Sequence, residues 1–335
     1  MNVTLEGIVF KQMKLKPNIL DEITRQLWIQ KPPQKDSFVS DDDYYVIEDE
    51  SGRVVLEGDL QELFTGMVVG LIGYETKEGK FNVKEIVYPT LSIPPAVQCD
   101  AWIAIVSGIQ VRDDDLATSL LADYLTGEIF DETVQRVIVA GNSFQENQEV
   151  IEKNRFGSKV SIYNNQPLLE LDDWLTAVAS LIPVDLMPGT KDPCPQILPQ
   201  QPIHKSMFKT CNYSSFTTTT NPYSFSLNQT DILVTSGQNI ADMAHFTTLS
   251  PMDIAKQTLK SGIVCPTSPD TLWSFPTDLF CLDQLPHLYI IGNQAKFETC
   301  KLGDSMIIMV PDFSKTKEVV LVNLNGQVKT VCFDV

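Results

Sequence analysis

Hydrophobic residues follow two regimes along the chain. Up to about residue 88 they come in short alternating runs broken by turn residues; beyond residue 99 longer apolar runs alternate with helical spacings. In the first stretch, residues 3–10, 44–47, 54–56, 67–72 and 81–88 predict five strands. Ser51-Gly52 and Lys77-Glu78-Gly79-Lys80 supply hairpin turns. Ile19, Leu20, Ile23 and Leu27 recur at helical spacing after Pro17, which predicts a helix over 17–28. Five short strands joined by hairpin chemistry fit a small closed barrel of the OB type, and also a fragment of a larger sandwich. That unit spans 1–90. The proline-rich stretch that follows reads as a linker over 91–98.

The remainder, 99–335, predicts a layered α/β domain. Strands are expected at 102–107, 134–140, 232–235, 288–291, 305–310, 319–322 and 328–333. Helices are expected at 116–125, at 168–182, where Leu168, Leu171, Leu175, Val178 and Ile182 share a face ahead of Pro183, and at 252–259, with Ser250 as cap.

Charge narrows the function. The 335 residues carry 25 Lys and Arg against 43 Asp and Glu, a net charge of −18. Tight, autonomous nucleic-acid binding needs a basic surface, so this balance argues against it. Lys11, Lys14 and Lys16 form a local basic cluster, but the unit around them is acidic, and protein docking is the stronger expectation. The longest apolar runs, 101–106 and 306–310, are strand-sized, and the first residues show no basic, apolar leader. None of the seven cysteines lies in a C-x-x-C pair, so reduced thiols in an intracellular protein are expected, with neither a disulfide framework nor a zinc spacing. His204, His245 and His287 read as packed or hydrogen-bonded side chains, Cys194 as a small buried residue, and Asp41-Asp42-Asp43 as a solvated run.

Five glycine-bearing turns stand where chemistry could sit: Ser107-Gly108-Ile109-Gln110, Gly141-Asn142-Ser143, Pro188-Gly189-Thr190-Lys191-Asp192, Ser236-Gly237-Gln238 and Gly292-Asn293-Gln294-Ala295. Singly, each is an ordinary turn. In order and spacing the set resembles the ligand loops of calcineurin-like metallophosphoesterases, a β-sandwich fold flanked by helices, where Asp and His hold two metals. The resemblance puts Gly108 and Gln110 at the first Asp and His positions, and Asn142 and Gln145 at the two aspartates of the second loop. Thr190 and Lys191 take the third-loop Asn and His, with Asp192 kept, Ser236 takes the lone His, and Asn293 and Ala295 the last pair. Such residues cannot hold a dinuclear centre, so the resemblance implies an inactive domain with no catalytic residue, metal or cofactor. The emptied pocket should bring Gln110, Asn142, Ser236 and Asn293 together, with Lys191 at its edge and Asp192 as its counter-charge.

A small barrel ahead of a degenerate phosphoesterase resembles the small, non-catalytic subunits of replicative polymerases. Ile182-Pro183-Val184-Asp185-Leu186-Met187-Pro188-Gly189, Leu198-Pro199-Gln200-Gln201-Pro202, Thr220-Asn221-Pro222-Tyr223 and Val310-Pro311-Asp312-Phe313-Ser314 are similar to the DNA polymerase delta small-subunit family. The resemblance implies a nuclear scaffold for replication and repair. It would join the C-terminal cysteine-rich domain of the catalytic subunit to a third accessory subunit, with polymerase zeta as a second client and DNA touched weakly or indirectly. Family members carry a further segment before the barrel, whereas this sequence opens on its first strand. The competing expectation is a metal-dependent phosphodiesterase or exonuclease, which the lost ligands disfavour.

Overall fold

A computed structural model of the chain describes residues 3–16, 36–93, 95, 99–112, 114–127, 134–144, 150–153, 159–162, 165–272 and 279–334. The helix expected over 17–28 lies outside the described residues. Contacts divide the chain into two compact units, Met1–Ser92 with Asn239–Leu285, and Ile93–Gln238 with Pro286–Val335.

In the first unit, strands β1 (Val3–Gln12), β2 (Tyr44–Glu48), β3 (Arg53–Glu57), β4 (Val68–Glu75) and β5 (Phe81–Val87) close a barrel in the order β1-β2-β3-β5-β4. All five strands match the expected runs, and the barrel is closed, not a sandwich fragment. Period-two alternation sends Val9, Val69, Leu71, Phe81 and Val83 inward as its core. The register shifts between Ile72 and Gly73, and a Cβ on Gly73 would fall 2.0 Å from the Asn82 carbonyl oxygen. Only glycine turns that corner.

The same alternation overturns the basic cluster. Lys11 follows Val9 at a spacing of two and is buried with it. Its Nζ donates to the Phe246 carbonyl (2.8 Å), lies 3.7 Å from the Asp43 carboxylate, and sits over the Tyr45 ring. Burial pulls its ammonium below the ordinary pKa, opposed by Asp43. Lys14 is exposed but bonded to Asp42 (3.0 Å), and Lys16 lies over the Phe10 and Phe246 rings. The three lysines do not form a free basic patch.

Asn239–Leu285, which the sequence places within 99–335, packs with the barrel. Besides the Lys11 bond, the Phe38 ring meets Phe246 edge-on (5.5 Å) and stacks on His245 (5.3 Å). The helix Pro251–Ser261 starts at Ser250, whose hydroxyl accepts from the Asp253 N–H (3.2 Å), and ends at Gly262 in left-handed φ (70°). The start of the expected linker is tied down as well, the Ser92 carbonyl accepting from the Leu285 N–H (2.9 Å).

The second unit holds β6 (Trp102–Val106), β7 (Val134–Ala140), β8 (Val150–Lys153), β9 (Lys159–Ile162), β10 (Val184–Met187), β11 (Phe216–Thr218) and β12 (Tyr223–Leu227). It continues with β13 (Thr230–Thr235), β14 (Leu288–Gln294), β15 (Glu298–Leu302), β16 (Ser305–Pro311), β17 (Glu318–Asn323) and β18 (Val328–Cys332). Two sheets form, β11-β10-β7-β6-β17-β18 and β12-β13-β14-β16-β15, beside a separate β8-β9 hairpin. Ile103, Ile105, Ile138 and Met187 of one sheet share a core with Ile232, Val234, Ile290 and Ile308 of the other. On the outer face of the first sheet, Ala104, Val106, Val137 and Val139 are covered by the helices Leu116–Thr126 and Gln166–Ala179 through Leu121, Leu171, Leu175 and Val178. This is a two-sheet sandwich with flanking helices.

Strands β8, β9, β10, β11, β12 and β15 have no counterpart in the expected set; in β10, Asp185 interrupts a four-residue run. Asp185 is buried, bonded to Arg136 Nη1 (2.6 Å), and accepts from the Tyr223 hydroxyl (3.2 Å). Strands β6-β7-β10-β11 are parallel, as are β13-β14-β16.

Lys11→Met, which removes the cation facing a buried Asp43 carboxylate and the donor to the Phe246 carbonyl, is expected to lower stability by about 3 kcal/mol. Lys14→Met, at an exposed pair, should cost under about 0.5 kcal/mol. Urea unfolding of both variants checks the contrast.

Candidate functional site

The turns leaving β6, β7, β10, β13 and β14 meet at one end of the two-sheet unit. Ser107 begins the web: its Oγ donates toward the Val310 and Pro311 carbonyls (3.3 and 3.0 Å) and accepts from the Asn293 N–H (2.8 Å). Gly108 donates its N–H to the Gly141 carbonyl (2.9 Å). Its φ is 62°, and a Cβ there would lie 2.4 Å from Asp312 Oδ1 and 3.0 Å from Asn293 Oδ1. A side chain does not fit at the place where the resemblance puts the first aspartate.

Asn142 and Asn293 adopt left-handed φ of 55° and 56°, a region that asparagine tolerates better than most residues. Asn142 Oδ1 accepts from the Lys191 N–H (3.0 Å) and the Thr190 hydroxyl (3.2 Å). Asn293 Nδ2 donates to the carbonyls of Ala140 (3.1 Å) and Ser236 (2.9 Å). Ser236 Oγ accepts from Asn221 Nδ2 (2.8 Å), which also donates to Gln200 Oε1 (2.7 Å), and Gln200 Nε2 reaches the Gly189 carbonyl (3.2 Å). Each amide ties one loop to another.

Asp192 lies beneath. It is buried, and its two oxygens accept from the N–H groups of Asn142 (2.8 Å), Ser143 (2.7 Å), Phe144 (3.1 Å) and Gly189 (2.7 Å). Loss of water pushes its pKa up to about 6, although all four donors pull the other way. Half-buried Cys194 stands beside it; burial and the neighbouring carboxylate push that thiol up to about 12, which leaves it protonated and a poor nucleophile.

Gly108, Asn142, Thr190, Asp192, Ser236, Asn293 and the Lys191 backbone are therefore brought together. Gln110 continues the Gly108 turn at φ 42°, half-buried, and Ala295 is exposed just past β14. Gln145 lies outside the described residues. The expected pairing of Lys191 with Asp192 is corrected: Lys191 is exposed, while the Asp192 oxygens are taken by backbone donors. Gln200, Asn221 and Asp312 carry no site signal of their own, standing only within stretches that resemble the family, whereas Ser107 opens the first of the five turns. The histidines serve structure. His287 Nδ1 accepts from the Asp231 N–H (2.9 Å), and His204 caps a short turn through Ser206.

A metal pair needs several carboxylates and imidazoles with free lone pairs. Here the loops offer glycine, amides and a hydroxyl; the Asp192 carboxylate is spent on four amide donors, and that of Asp312, beside Gly108, accepts from the Ser314 N–H and hydroxyl. Among the described residues no three His, Cys, Asp or Glu side chains gather to hold an ion. The residues do not fit the metals that the resembled enzymes carry.

Similarity to known proteins defines the class first. The family model for the B-type subunit of DNA polymerases alpha and epsilon matches residues 103–299, more than half of the chain, and one described as DNA polymerase delta subunit OB-fold domain matches 2–86. The chain is thus similar to the small subunits of replicative polymerases over both of its regions. The DNA polymerase delta small subunit of Arabidopsis thaliana is 35% identical, covering 96% of this chain and 79% of that protein. That of Saccharomyces cerevisiae is 33% identical, with 98% and 78% covered, and DNA polymerase delta subunit 2 of Drosophila melanogaster is 34% identical, with 96% and 80% covered. The chain belongs to the DNA polymerase delta small-subunit family. An archaeal phosphodiesterase structure aligns with a TM-score of 0.38 at 12% identity over 69% of this chain and 99% of that one, too slight to bear on chemistry.

Burial of Asp192 makes stability depend on pH. The folded protein binds its proton more tightly than the unfolded chain, so this contribution favours folding below the ordinary value of 3.8 and is lost as pH rises through about 6. Over that window wild type should lose about 3 kcal/mol relative to Asp192→Asn, which has no proton to exchange. Denaturant unfolding of both proteins from pH 3.5 to 7 measures the difference.

Proposed function

We propose that this chain is a non-catalytic accessory subunit of a DNA polymerase delta assembly, a scaffold whose phosphoesterase-like domain no longer performs hydrolysis. The observation that carries the reading is the strand-end web. Loops that would present metal ligands are closed on one another by Asn142, Asn293, Asn221 and Gln200, and the remaining carboxylate is buried under amide donors. Similarity to delta small subunits along 96% of the chain supports the same reading.

On this reading the chain works in the nucleus, in replication and repair. It joins the C-terminal cysteine-rich domain of the catalytic subunit to a third accessory subunit, and polymerase zeta is a second client. DNA is held by the partners: the net charge of −18 repels phosphate, and Lys11 and Lys14 are occupied within the barrel unit. The enzyme alternative, a metal-dependent phosphodiesterase, finds no ligand set among the described residues.

Purification of the tagged chain from its source cells, with identification and quantification of bound chains, tests the proposal. The polymerase delta catalytic subunit and a third accessory subunit are expected in near-stoichiometric amounts. Recovery of no polymerase subunit would overturn the scaffold reading.

A further inference from the structure

The outer face of the barrel carries an apolar patch with a hole in its middle. Ile8, Val68 and Val87 are 53%, 45% and 43% exposed. The register places them together: Ile8 is opposite Val68, and one step along, Glu6 is opposite Gly70, which is opposite Val87. Gly70 is the unexplained member. Its φ is not in the left-handed region, and a Cβ there would meet Val87 Cβ at 3.4 Å, an ordinary contact. Neither the backbone nor the packing of this chain asks for glycine. A mid-strand glycine weakens a strand, and such glycines often stand at a bulge, at a tight bend or where another group approaches closely. The bend in β4 belongs to Gly73, not Gly70.

Charge selects the occupant. Carboxylates edge the patch: Glu6 on β1, Glu85 on β5, and Glu48-Asp49-Glu50 running into the β2–β3 turn beside Ile8, with Arg53 answering Glu48 alone. From residue 48 to residue 53, beside Ile8, there are three carboxylates against one guanidinium. A second copy would set this rim against itself, and nucleic acid would be repelled. A protein segment with one apolar side chain flanked by lysine or arginine fits both the hollow and the rim.

We infer that the Ile8–Val68–Val87 face is a docking surface for such a basic, apolar segment of another subunit, whose anchor side chain seats over Gly70. The inference rests on the accessory-subunit reading above. The test uses the full chain, assembled with the other polymerase delta subunits of its source organism, with a photo-cross-linking residue in place of Val87. The expected cross-link is to a segment of another subunit in which lysine or arginine surrounds an apolar residue. Gly70→Phe, which fills the hollow, should weaken binding of that subunit at least tenfold, while Gly70→Ala binds as wild type. The melting temperature of Gly70→Phe, measured alone, confirms that it is folded. Glu6→Lys with Glu85→Lys should weaken binding and flatten its salt dependence. An assembly that forms without a cross-link from position 87, and is indifferent to Gly70→Phe, overturns this inference and leaves the scaffold reading standing. A cross-link to a second copy of this chain also overturns it. Failure of any assembly to form removes the scaffold reading and this inference with it.

Discussion

Four backbone N–H groups from two loops converge on one buried carboxylate, that of Asp192, and the ends of β7 and β10 are held in register by it. Each such bond to a charged acceptor contributes about 1.5–3 kcal/mol when formed. Burial of the carboxylate still outweighs them in the proton balance, since its pKa rises to about 6. The group is thus suited to holding backbone and unsuited to binding an ion, because no lone pair faces open space. Around it, neutral amides complete what charged ligands and metals do in the enzymes that the loops resemble. Asn142 and Asn293 keep left-handed turns that bring their neighbours within reach, and their side chains close the gap between loops.

The barrel unit shows a second use of a buried charge. Lys11 is turned inward by strand alternation, and its ammonium fastens the Phe246 carbonyl of the Asn239–Leu285 segment to the barrel. A cation spent on internal cohesion is not available to phosphate, which leaves the outer surface of this unit dominated by carboxylates. What is left exposed and apolar on the barrel lies among those carboxylates, a setting that suits protein partners.

Much of this can be read from the sequence, for identifiable reasons. The five barrel strands and most strands of the sandwich follow from apolar runs of strand length, and the helix at 251–261, expected over 252–259, from Ser250 as its cap. The gathering of the loops is implied by the order and spacing in which they resemble phosphoesterase ligand loops, not by any one turn. Several things are not legible, among them strands β8, β9, β11, β12 and β15. Strand β10 is hidden by Asp185, because nothing local shows that Arg136, 49 residues earlier, will neutralise it. The direction of Asp192, inward to backbone donors instead of outward to Lys191, depends on loops brought together only by the fold. The placement of Asn239–Leu285 with the barrel rests on contacts far apart in sequence, such as Lys11 with a partner 235 residues away and Phe38 with His245 and Phe246. Pairings at such separation have no spacing rule.

If hydrogen bonds alone hold these loops, no metal contributes to their stability. Thermal unfolding across a Mn²⁺ titration, set against the same protein in excess EDTA, tests it most directly, because an ion bound to the folded state must raise the melting temperature by mass action. One melting temperature throughout is expected. A saturable rise that Asp192→Ala abolishes would contradict it.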